Sequence, residues 1–397
     1  MRMSWTSLAS AALAAIALAA PAAAQTHIKI GFINSLSGFL AQPGDEMDKG
    51  VSLYVKEHEK ELPPGVEIEV IKRDDTSTPE VARRLAQELI TRDHVNLLFG
   101  VVASPNAAAI APLTAESKVP LVITNAAGTA ITRISPYVVR VSFTQWHTAL
   151  PMGQWAVKQG WKKAFIAVSD FIPGHDAEGA FTKGFTDAGG QIIGSIAFSP
   201  ANPDFPPVVQ RIRDAKPDVA FIWVPGGTQA TQMMKSIKDL GVRDAGINIV
   251  STQDLVPDEE LPNIGQVGIG LISAGNYSAA ADRPANKAFI AAWNKAYGDK
   301  AIPDFLSADG WDGMMAVFDL IKATKGKFTG DEAIAFLSHW KTDASPRGPI
   351  SIDPATRDIV QNVYIRKTEM QGGKLANVEF DTIPNVKDPW KELNPPK

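Results

Sequence analysis

Residues 95–123, VNLLFGVVASPNAAAIAPLTAESKVPLVI, contain a strand–loop–helix–strand unit. Val95–Phe99 is an apolar run of the length expected for a buried strand. Ser104 is a favoured N-cap residue, and Pro105 suits the first turn of the helix that follows. A second apolar run, Val119–Ile123, comes after this helix. Two buried strands joined by a helix form the crossover unit of a parallel sheet.

The same alternation of strands and helices fills two long parts of the chain. In the first part, strands are also predicted at 28–33 and 66–71. A second series of similar size starts near Lys163 and ends near Ser251. Mostly helices follow Gly275, and the sequence predicts them at 284–297, 307–324 and 331–340. The pattern predicts an α/β fold with two lobes, each a mostly parallel sheet flanked by helices.

The first 24 residues have the pattern of a secretory signal peptide. Arg2 gives a positive start, 8–20 is an apolar run, and Ala22-Ala23-Ala24 supplies the small residues of a cleavage site. A transmembrane anchor is the competing interpretation, but the run is shorter than the roughly 20 residues that a bilayer requires. We therefore expect cleavage after Ala24 and a periplasmic mature protein. Because the chain has 0 cysteines, a hydrophobic core must stabilise it without disulfides.

Charge and motifs argue against several classes of function. The chain has 39 Lys and Arg against 43 Asp and Glu, with both signs scattered, so a nucleic-acid partner is not expected. Its 6 histidines are isolated, and neither a nucleophile elbow nor a phosphate-binding loop is present. We expect no catalytic residues, metal or cofactor, and hence no enzyme. A hydrolase with a dispersed active site is the alternative.

Motifs spread along 26–367 carry a resemblance to a known family. Among them are Ile28-Lys29-Ile30-Gly31-Phe32, Leu36-Ser37-Gly38, Arg73-Asp74-Asp75, Gly275-Asn276-Tyr277 and Gly310-Trp311-Asp312-Gly313. In order and spacing they resemble the type I solute-binding proteins of ABC transporters, especially the branched-chain amino acid binding proteins. The resemblance implies the two-lobed type I periplasmic binding protein fold, with a ligand cleft between lobes joined by three hinge crossings. Those crossings are expected near 141–143, 274–277 and 348–352.

By the same resemblance the chain divides into lobes and a tail. Lobe 1 is expected at 26–141 with 275–349, lobe 2 at 142–274 with 350–380, and a loosely ordered or surface-wrapping tail at 381–397. The implied function is the substrate-binding component of an ABC uptake transporter, which closes on a small ligand by hinge motion. Its expected partners are that ligand and an inner-membrane permease, and the protein is expected to be a monomer. A periplasmic sensor subunit is the alternative.

Two small-residue loops of lobe 1 are the predicted carboxylate site. Ligands of open α/β sheets bind beyond the carboxyl ends of strands, where helix N-termini favour anions. The family's serine at the position of Ser104 contacts the ligand carboxylate, although Ser104 could act only as a cap. Backbone groups of the second loop would contribute, or that loop is a plain turn. The candidates are Val102, Ala103, Ser104, Ala126, Gly128 and Thr129.

The resemblance places the rest of the site in lobe 2. There Phe171 would supply an aromatic wall and Asp254 would receive an ammonium group. Pro225 stands where the amino acid binders carry an aromatic residue, and so does Pro43 in lobe 1. An amino acid, branched-chain or otherwise hydrophobic, is expected if Asp254 faces the cleft, and an aromatic or related carboxylic acid is the alternative. Three tryptophans are further candidates for the cleft wall: Trp146, Trp223 and Trp311.

Overall fold

Two separate β-sheets organise the protein in a computed structural model that describes residues 25–395. The expected signal peptide at 1–24 lies outside these residues. The strands are β1 (Thr26–Asn34), β2 (Val66–Asp74), β3 (Leu97–Gly100), β4 (Leu121–Ile123), β5 (Val138–Arg140), β6 (Lys163–Ser169), β7 (Gln191–Phe198), β8 (Val219–Trp223), β9 (Asn248–Thr252), β10 (Ile272–Gly275), β11 (Lys341–Thr342), β12 (Ile350–Asp353), β13 (Asp358–Gln371) and β14 (Lys374–Val386).

Helices lie on both faces of each sheet. They are α1 (Ala41–His58), α2 (Pro79–Thr91), α3 (Ser104–Ser117), α4 (Ile131–Ile134), α5 (Gln145–Lys158), α6 (Ile172–Asp187), α7 (Phe205–Ala215), α8 (Thr228–Asp239), α9 (Leu261–Ile264), α10 (Pro284–Tyr297), α11 (Phe305–Thr324), α12 (Gly330–Leu337) and α13 (Pro389–Leu393).

Lobe 1 is built on a 5-stranded parallel sheet with the order β2-β1-β3-β4-β5. Successive side chains of β1 point to opposite faces. Phe32 therefore packs in the core shared with α1 and α11, while Ile33 packs in the core shared with α2 and α3. All strands run in one direction, so their carboxyl ends, with the β3–α3 and β4–α4 loops, share one edge.

Lobe 2 is built on a 9-stranded mixed sheet. Its centre, β10-β9-β8-β6-β7, is parallel, and β13 joins it antiparallel to β10. One hydrophobic core lies under α7 and α8, and another lies under α5 and α6. The carboxyl ends of β6, β8 and β9 give lobe 2 its own loop-bearing edge.

The chain changes from one core to the other at three places. At the first crossing, Phe143 packs in the lobe 1 core and Trp146 in a lobe 2 core. At the second crossing, Ala274 packs in a lobe 2 core and Tyr277 in the lobe 1 core. The third change falls between Ile359 and Val363 within β13. That is beyond the expected 348–352, because Ile350 and Ile352 of β12 pack in the lobe 1 core.

Buried polar side chains tie these crossings together. Arg347 donates to the carbonyls of Val141 at 2.9 Å and Ser142 at 3.2 Å, and its charge is paired with Asp312 at 2.6 Å. Gln361 on β13 donates to Ser142 O at 2.9 Å and accepts from Arg347 at 2.8 Å. One network thus holds the first and third crossings in register.

The segment expected to be a loosely ordered or surface-wrapping tail forms regular structure within the described residues. Residues 381–386 complete β14, and α13 follows. Lys391 on α13 is buried, and its ammonium group contacts Asp358 and Thr132. All but one of the residues of β14 are exposed or half-buried, which makes this strand hard to recognise as part of a core.

Candidate functional site

A pocket lies between the loop-bearing edges of the two sheets. It encloses about 370 Å³ of space free of protein atoms, including its mouth. Most of its wall is apolar. Among residues 25–395, Asp254 is the only ionisable residue in the lining, which contains neither Lys nor Arg. From lobe 1 the lining residues are Leu40, Pro43, Val102, Ser104, Asn125, Ala127, Phe143, Phe305 and Leu306, and from lobe 2 they are Gln145, Phe171, Pro173, Trp223, Pro225 and Asp254.

The β3–α3 loop reaches the pocket through a tight turn at Gly100. This glycine has φ +99°, and a Cβ there would lie 2.5 Å from the Phe32 ring. The turn brings Val102 and Ser104 to the wall. Ala103, rather than Ser104, is the N-cap residue of α3, and Ser104 is its first helical residue. The side chain of Ser104 therefore does not cap this helix.

Ser104 instead joins the two loops of lobe 1. Its Oγ accepts a hydrogen bond from Gly128 N–H at 3.0 Å, so its own hydroxyl hydrogen is free for another partner. Ala126 N–H donates to Val101 O at 3.0 Å. Gly128 and Ala126 thus have protein acceptors already, and neither lines the pocket. The residue between them, Ala127, does line it.

Unpaired backbone donors surround Ser104. Within residues 25–395, the N–H groups of Val102, Ala103 and Ala127 have no protein acceptor. Val102 and Ala127 face the pocket, and Ala103 stands between two lining residues. Such a cluster at the start of a helix offers an anion several hydrogen bonds and a favourable dipole.

Thr129 lies outside the pocket and contacts the opposite lobe. Its N–H donates to Asp176 Oδ2 on α6 at 2.8 Å. Burial raises the pKa of Asp176, which the hydrogen bonds from Thr129 partly offset. The predicted Thr129 position therefore forms part of the contact between closed lobes.

Aromatic rings form much of the wall. Phe171 and Trp223 of lobe 2 have ring centroids 5.5 Å apart. Phe171 also meets Phe39 of lobe 1 edge-on at 6.0 Å. On the lobe 1 side, Phe143 and Phe305 are edge-on at 5.7 Å. Trp146 and Trp311 pack into the lobe cores, so Trp223 is the one of the three candidate tryptophans in this lining.

Asp254 faces the pocket at the end of β9. It is 5% exposed, and the Thr252 hydroxyl donates to its Oδ2 at 2.5 Å. Burial raises the pKa of Asp254 to about 6, while the hydrogen bond from Thr252 and the nearby polar groups of Trp223 and Gln145 oppose the shift. The carboxyl group is thus placed to accept a hydrogen bond or to meet a positive charge.

Sequence reasoning missed most of the apolar wall. Phe143, Phe305 and Leu306 come from a hinge crossing and from the first turn of α11. They come near the two predicted loops only through the folding of lobe 1, and hydrophobic side chains carry no local sign of a binding role. Gln145 and Asn125 were also missed.

Acidic side chains from both lobes meet beside the pocket. Asp304 caps α11 through a bond from Ser307 N–H at 3.0 Å, and the Ser307 hydroxyl donates to Glu46 at 3.0 Å. Glu259 of lobe 2 faces Asp304. Its two carboxyl oxygens and Asp304 Oδ2 are buried without a hydrogen-bond donor among the described residues. Burial, with the neighbouring carboxylates, raises the pKa of Asp304 to about 7 and that of Glu259 well above its usual value.

Two further observations concern the part of the chain that the structure describes. No group of three or more His, Asp or Glu side chains there could hold a metal ion. No helix within 25–395 has the length and apolar character needed to cross a membrane.

Comparison with known proteins defines the class of this cleft. Residues 27–374 match the periplasmic binding protein family. The chain is 37% identical to the Leu/Ile/Val-binding protein homolog 6 of Brucella melitensis over 384 residues, which are 96% of this chain and 98% of that protein. It therefore belongs to the periplasmic binding proteins.

Comparison with solved structures shows which kind of periplasmic binding protein the chain resembles. A solute binding protein of an ABC transporter from Rhodopseudomonas palustris BisB5, in complex with 3,4-dihydroxybenzoic acid, is 43% identical with a TM-score of 0.89. Another R. palustris solute binding protein, in complex with 4-hydroxybenzoate, is 40% identical with a TM-score of 0.88. In both cases 92% of this chain covers 99% of the other. The predicted type I two-lobed fold is confirmed, as is the function of a solute-binding protein of ABC transporters.

Proposed function

We propose that this protein binds a small aromatic carboxylic acid in the cleft and delivers it to an ABC permease in the inner membrane. The observation that carries the choice of ligand is the lining of the pocket. Phe143, Phe171, Trp223 and Phe305 surround a narrow space with one ionisable residue, Asp254, and no cation. A flat ring buries its surface well against such walls. Two relatives with about 40% identity were solved with hydroxylated benzoic acids.

The carboxylate belongs at the lobe 1 end of the pocket. The Ser104 hydroxyl and the unpaired N–H groups of Val102, Ala103 and Ala127 are the donors available there. Hydrogen bonds to a charged group contribute about 1.5–3 kcal/mol each, enough to bind the anion without Lys or Arg. Phe171 and Pro225 would then enclose the ring from lobe 2, with Asp254 beyond it.

A hydrophobic amino acid is the second candidate ligand, and Asp254 is the observation that favours it. A buried carboxylate is stabilised by a cation beside it, and an α-ammonium group is such a cation. The matched relatives named as Leu/Ile/Val-binding protein homologues are consistent with this alternative.

Calorimetry with benzoate, 4-hydroxybenzoate, L-leucine and L-phenylalanine tests the choice. We expect one of the two aromatic acids to bind in the micromolar range or better and the amino acids at least roughly 100-fold more weakly, because an ammonium group offers no acceptor to the buried Trp223 indole N–H. Tighter binding of an amino acid would replace the first candidate by the second.

The remaining parts of the proposal concern the protein in its compartment. We propose that the signal peptide is cleaved after Ala24, that the mature protein acts in the periplasm as a monomer, and that it releases its ligand chemically unchanged. N-terminal sequencing of the exported protein, size-exclusion chromatography with light scattering, and recovery of unaltered ligand test these points. A different N-terminus, a dimer at micromolar concentration or a ligand-derived product would each contradict the corresponding one.

A further inference from the structure

Three polar groups of lobe 2 lie close together in the wall of the pocket. They are the Asp254 carboxyl group, the Trp223 indole N–H and the Gln145 side chain, and all three residues line the pocket. Trp223 and Gln145 point towards Asp254. Trp223 is 2% exposed and Gln145 is 1% exposed, so water reaches neither side chain freely.

Two atoms of this group are left without a hydrogen bond. Within the described chain, Trp223 Nε1 and Gln145 Oε1 are buried and have no partner. A buried donor or acceptor without a partner costs about 1–3 kcal/mol. The pocket therefore contains, close together, a hydrogen-bond donor without an acceptor, an acceptor without a donor, and a carboxyl group.

The chemistry of the missing partner follows from what each group can do. An indole N–H can only donate, so its partner must carry an acceptor. An ammonium group has three donors and no acceptor, so it would satisfy Asp254 and leave Trp223 Nε1 unpaired. A hydrogen atom of an unsubstituted ring would satisfy neither. A hydroxyl oxygen accepts from Trp223 while its hydrogen is donated to Asp254 or Gln145 Oε1.

We propose that Trp223, Asp254 and Gln145 form a specificity site for a hydroxyl group on the ligand, at the end remote from its carboxylate. This inference rests on the proposed function, since it assumes that the carboxylate lies against lobe 1. It selects hydroxylated aromatic acids over both the unsubstituted acid and an amino acid. It also gives Asp254 the role of hydrogen-bond acceptor in place of an ammonium partner.

The test compares 4-hydroxybenzoate with benzoate by calorimetry on the full mature protein and on Trp223→Phe. The substitution removes the N–H and keeps an aromatic wall. We expect the wild type to prefer 4-hydroxybenzoate by at least tenfold, since a site that hydrogen-bonds a hydroxyl rejects the analogue without it. In Trp223→Phe the preference should fall about tenfold, through weaker binding of 4-hydroxybenzoate with benzoate little changed.

Controls separate this site from general damage to the cleft. Trp155→Phe, a half-buried tryptophan of the lobe 2 core away from the pocket, should leave both affinities unchanged. Asp254→Asn should also reduce the preference. Equal wild-type affinities for the two acids would overturn the hydroxyl site and leave the proposed function standing. An equal loss for both acids in Trp223→Phe would overturn it as well, and no binding of either acid would overturn both proposals.

Discussion

Ser104 shows at the scale of one residue how the two loops of lobe 1 depend on each other. Its Oγ accepts from Gly128 N–H, 24 positions away in the sequence, while its hydroxyl hydrogen remains available to a ligand. Residue type, the preceding loop and Pro105 pointed correctly to a helix start here. They could not indicate the partner, because a hydrogen bond between two loops depends on the packing of β3 beside β4. For the same reason the sequence did not single out Ala127, whose neighbours have their N–H groups occupied.

We predict that Ser104→Ala weakens binding of 4-hydroxybenzoate by tenfold or more, about 1.5–3 kcal/mol, because a donor to the carboxylate is lost and Gly128 N–H loses its acceptor. Isothermal titration calorimetry measures this. Ser236→Ala is the matched control, since that hydroxyl only donates a hydrogen bond to the Gln232 carbonyl on an exposed face of α8. Unchanged affinity in Ser104→Ala would remove this residue from the site.

At the scale of elements, the α1–α11 contact depends on a residue without a side chain. A Cβ on Gly50 of α1 would lie 2.0 Å from Ser307 O of α11, so the helices must separate to admit a methyl group. Overpacking of this kind costs about 1–3 kcal/mol. We predict that Gly50→Ala lowers the free energy of unfolding by that amount, measured by urea denaturation.

The control for this prediction is Gly179→Ala in α6. A Cβ there has its nearest neighbour, Trp146, at 3.8 Å, which is ordinary contact. Alanine in an exposed helical position should keep or raise stability by up to about 1 kcal/mol. A Gly50→Ala protein as stable as Gly179→Ala would show that the two helices are free to adjust.

Elements with a clear hydrophobic period were predictable from the sequence, and the C-terminal hairpin was not. Predicted helix 284–297 is α10 to the residue, and predicted helix 307–324 is α11 without its first two residues. β13 continues to Gln371, beyond residue 367 where the family resemblance ends, and β14 was not foreseen. Pairing between β13 and β14 supplies their backbone hydrogen bonds, so polar residues such as Glu379, Asp381 and Thr382 are tolerated in a strand.

At the scale of the whole molecule, contacts across the cleft describe a closed conformation. Gln42 of lobe 1 donates to Glu260 of lobe 2 at 2.5 Å, and Thr129 N–H donates to Asp176. Opening the hinge would break both bonds. We predict that saturating 4-hydroxybenzoate reduces the radius of gyration in small-angle X-ray scattering, because the ligand binds the closed form better.

Gly128→Leu tests whether this compaction is closure of the cleft. A Cβ on Gly128 would lie 2.8 Å from Ile172 Cγ2 of lobe 2, so a leucine side chain would hold the lobes apart. We expect this variant to keep the larger radius at every ligand concentration. Equal radii with and without ligand in the wild-type protein would contradict hinge closure.

The carboxyl groups of Glu259 and Asp304 make closure depend on pH. In the closed conformation, burial and the neighbouring carboxylates raise the pKa of Asp304 to about 7 and that of Glu259 well above its usual value. We expect water to reach both groups when the lobes separate, so that the closed form holds a proton that the open form releases. Closure is therefore favoured at low pH, and the advantage is lost as the pH rises from the ordinary carboxyl range to about 7. We predict that affinity for 4-hydroxybenzoate falls as the pH rises from 5.5 to 7.

Glu259→Gln isolates this contribution, because Asp254 titrates equally in both proteins. Its amide N–H can donate to Asp304 Oδ2 at every pH. We expect a flatter profile and tighter binding than wild type above pH 7, measured by calorimetry in matched buffers. Parallel profiles for the two proteins would show that this pair does not control closure.

The position of Trp223 gives the protein an optical signal of its own state. Trp223 packs on the lobe 2 core but also lines the cleft, so we expect water to reach its indole when the lobes separate, whereas Trp293 and Trp340 stay within the lobe 1 core. Indole emission moves to longer wavelength in a more polar environment, so a change in the spectrum reports the opening of the cleft. A stopped-flow instrument can therefore follow capture and release of an unlabelled solute in real time, with Trp223→Phe as the silent reference.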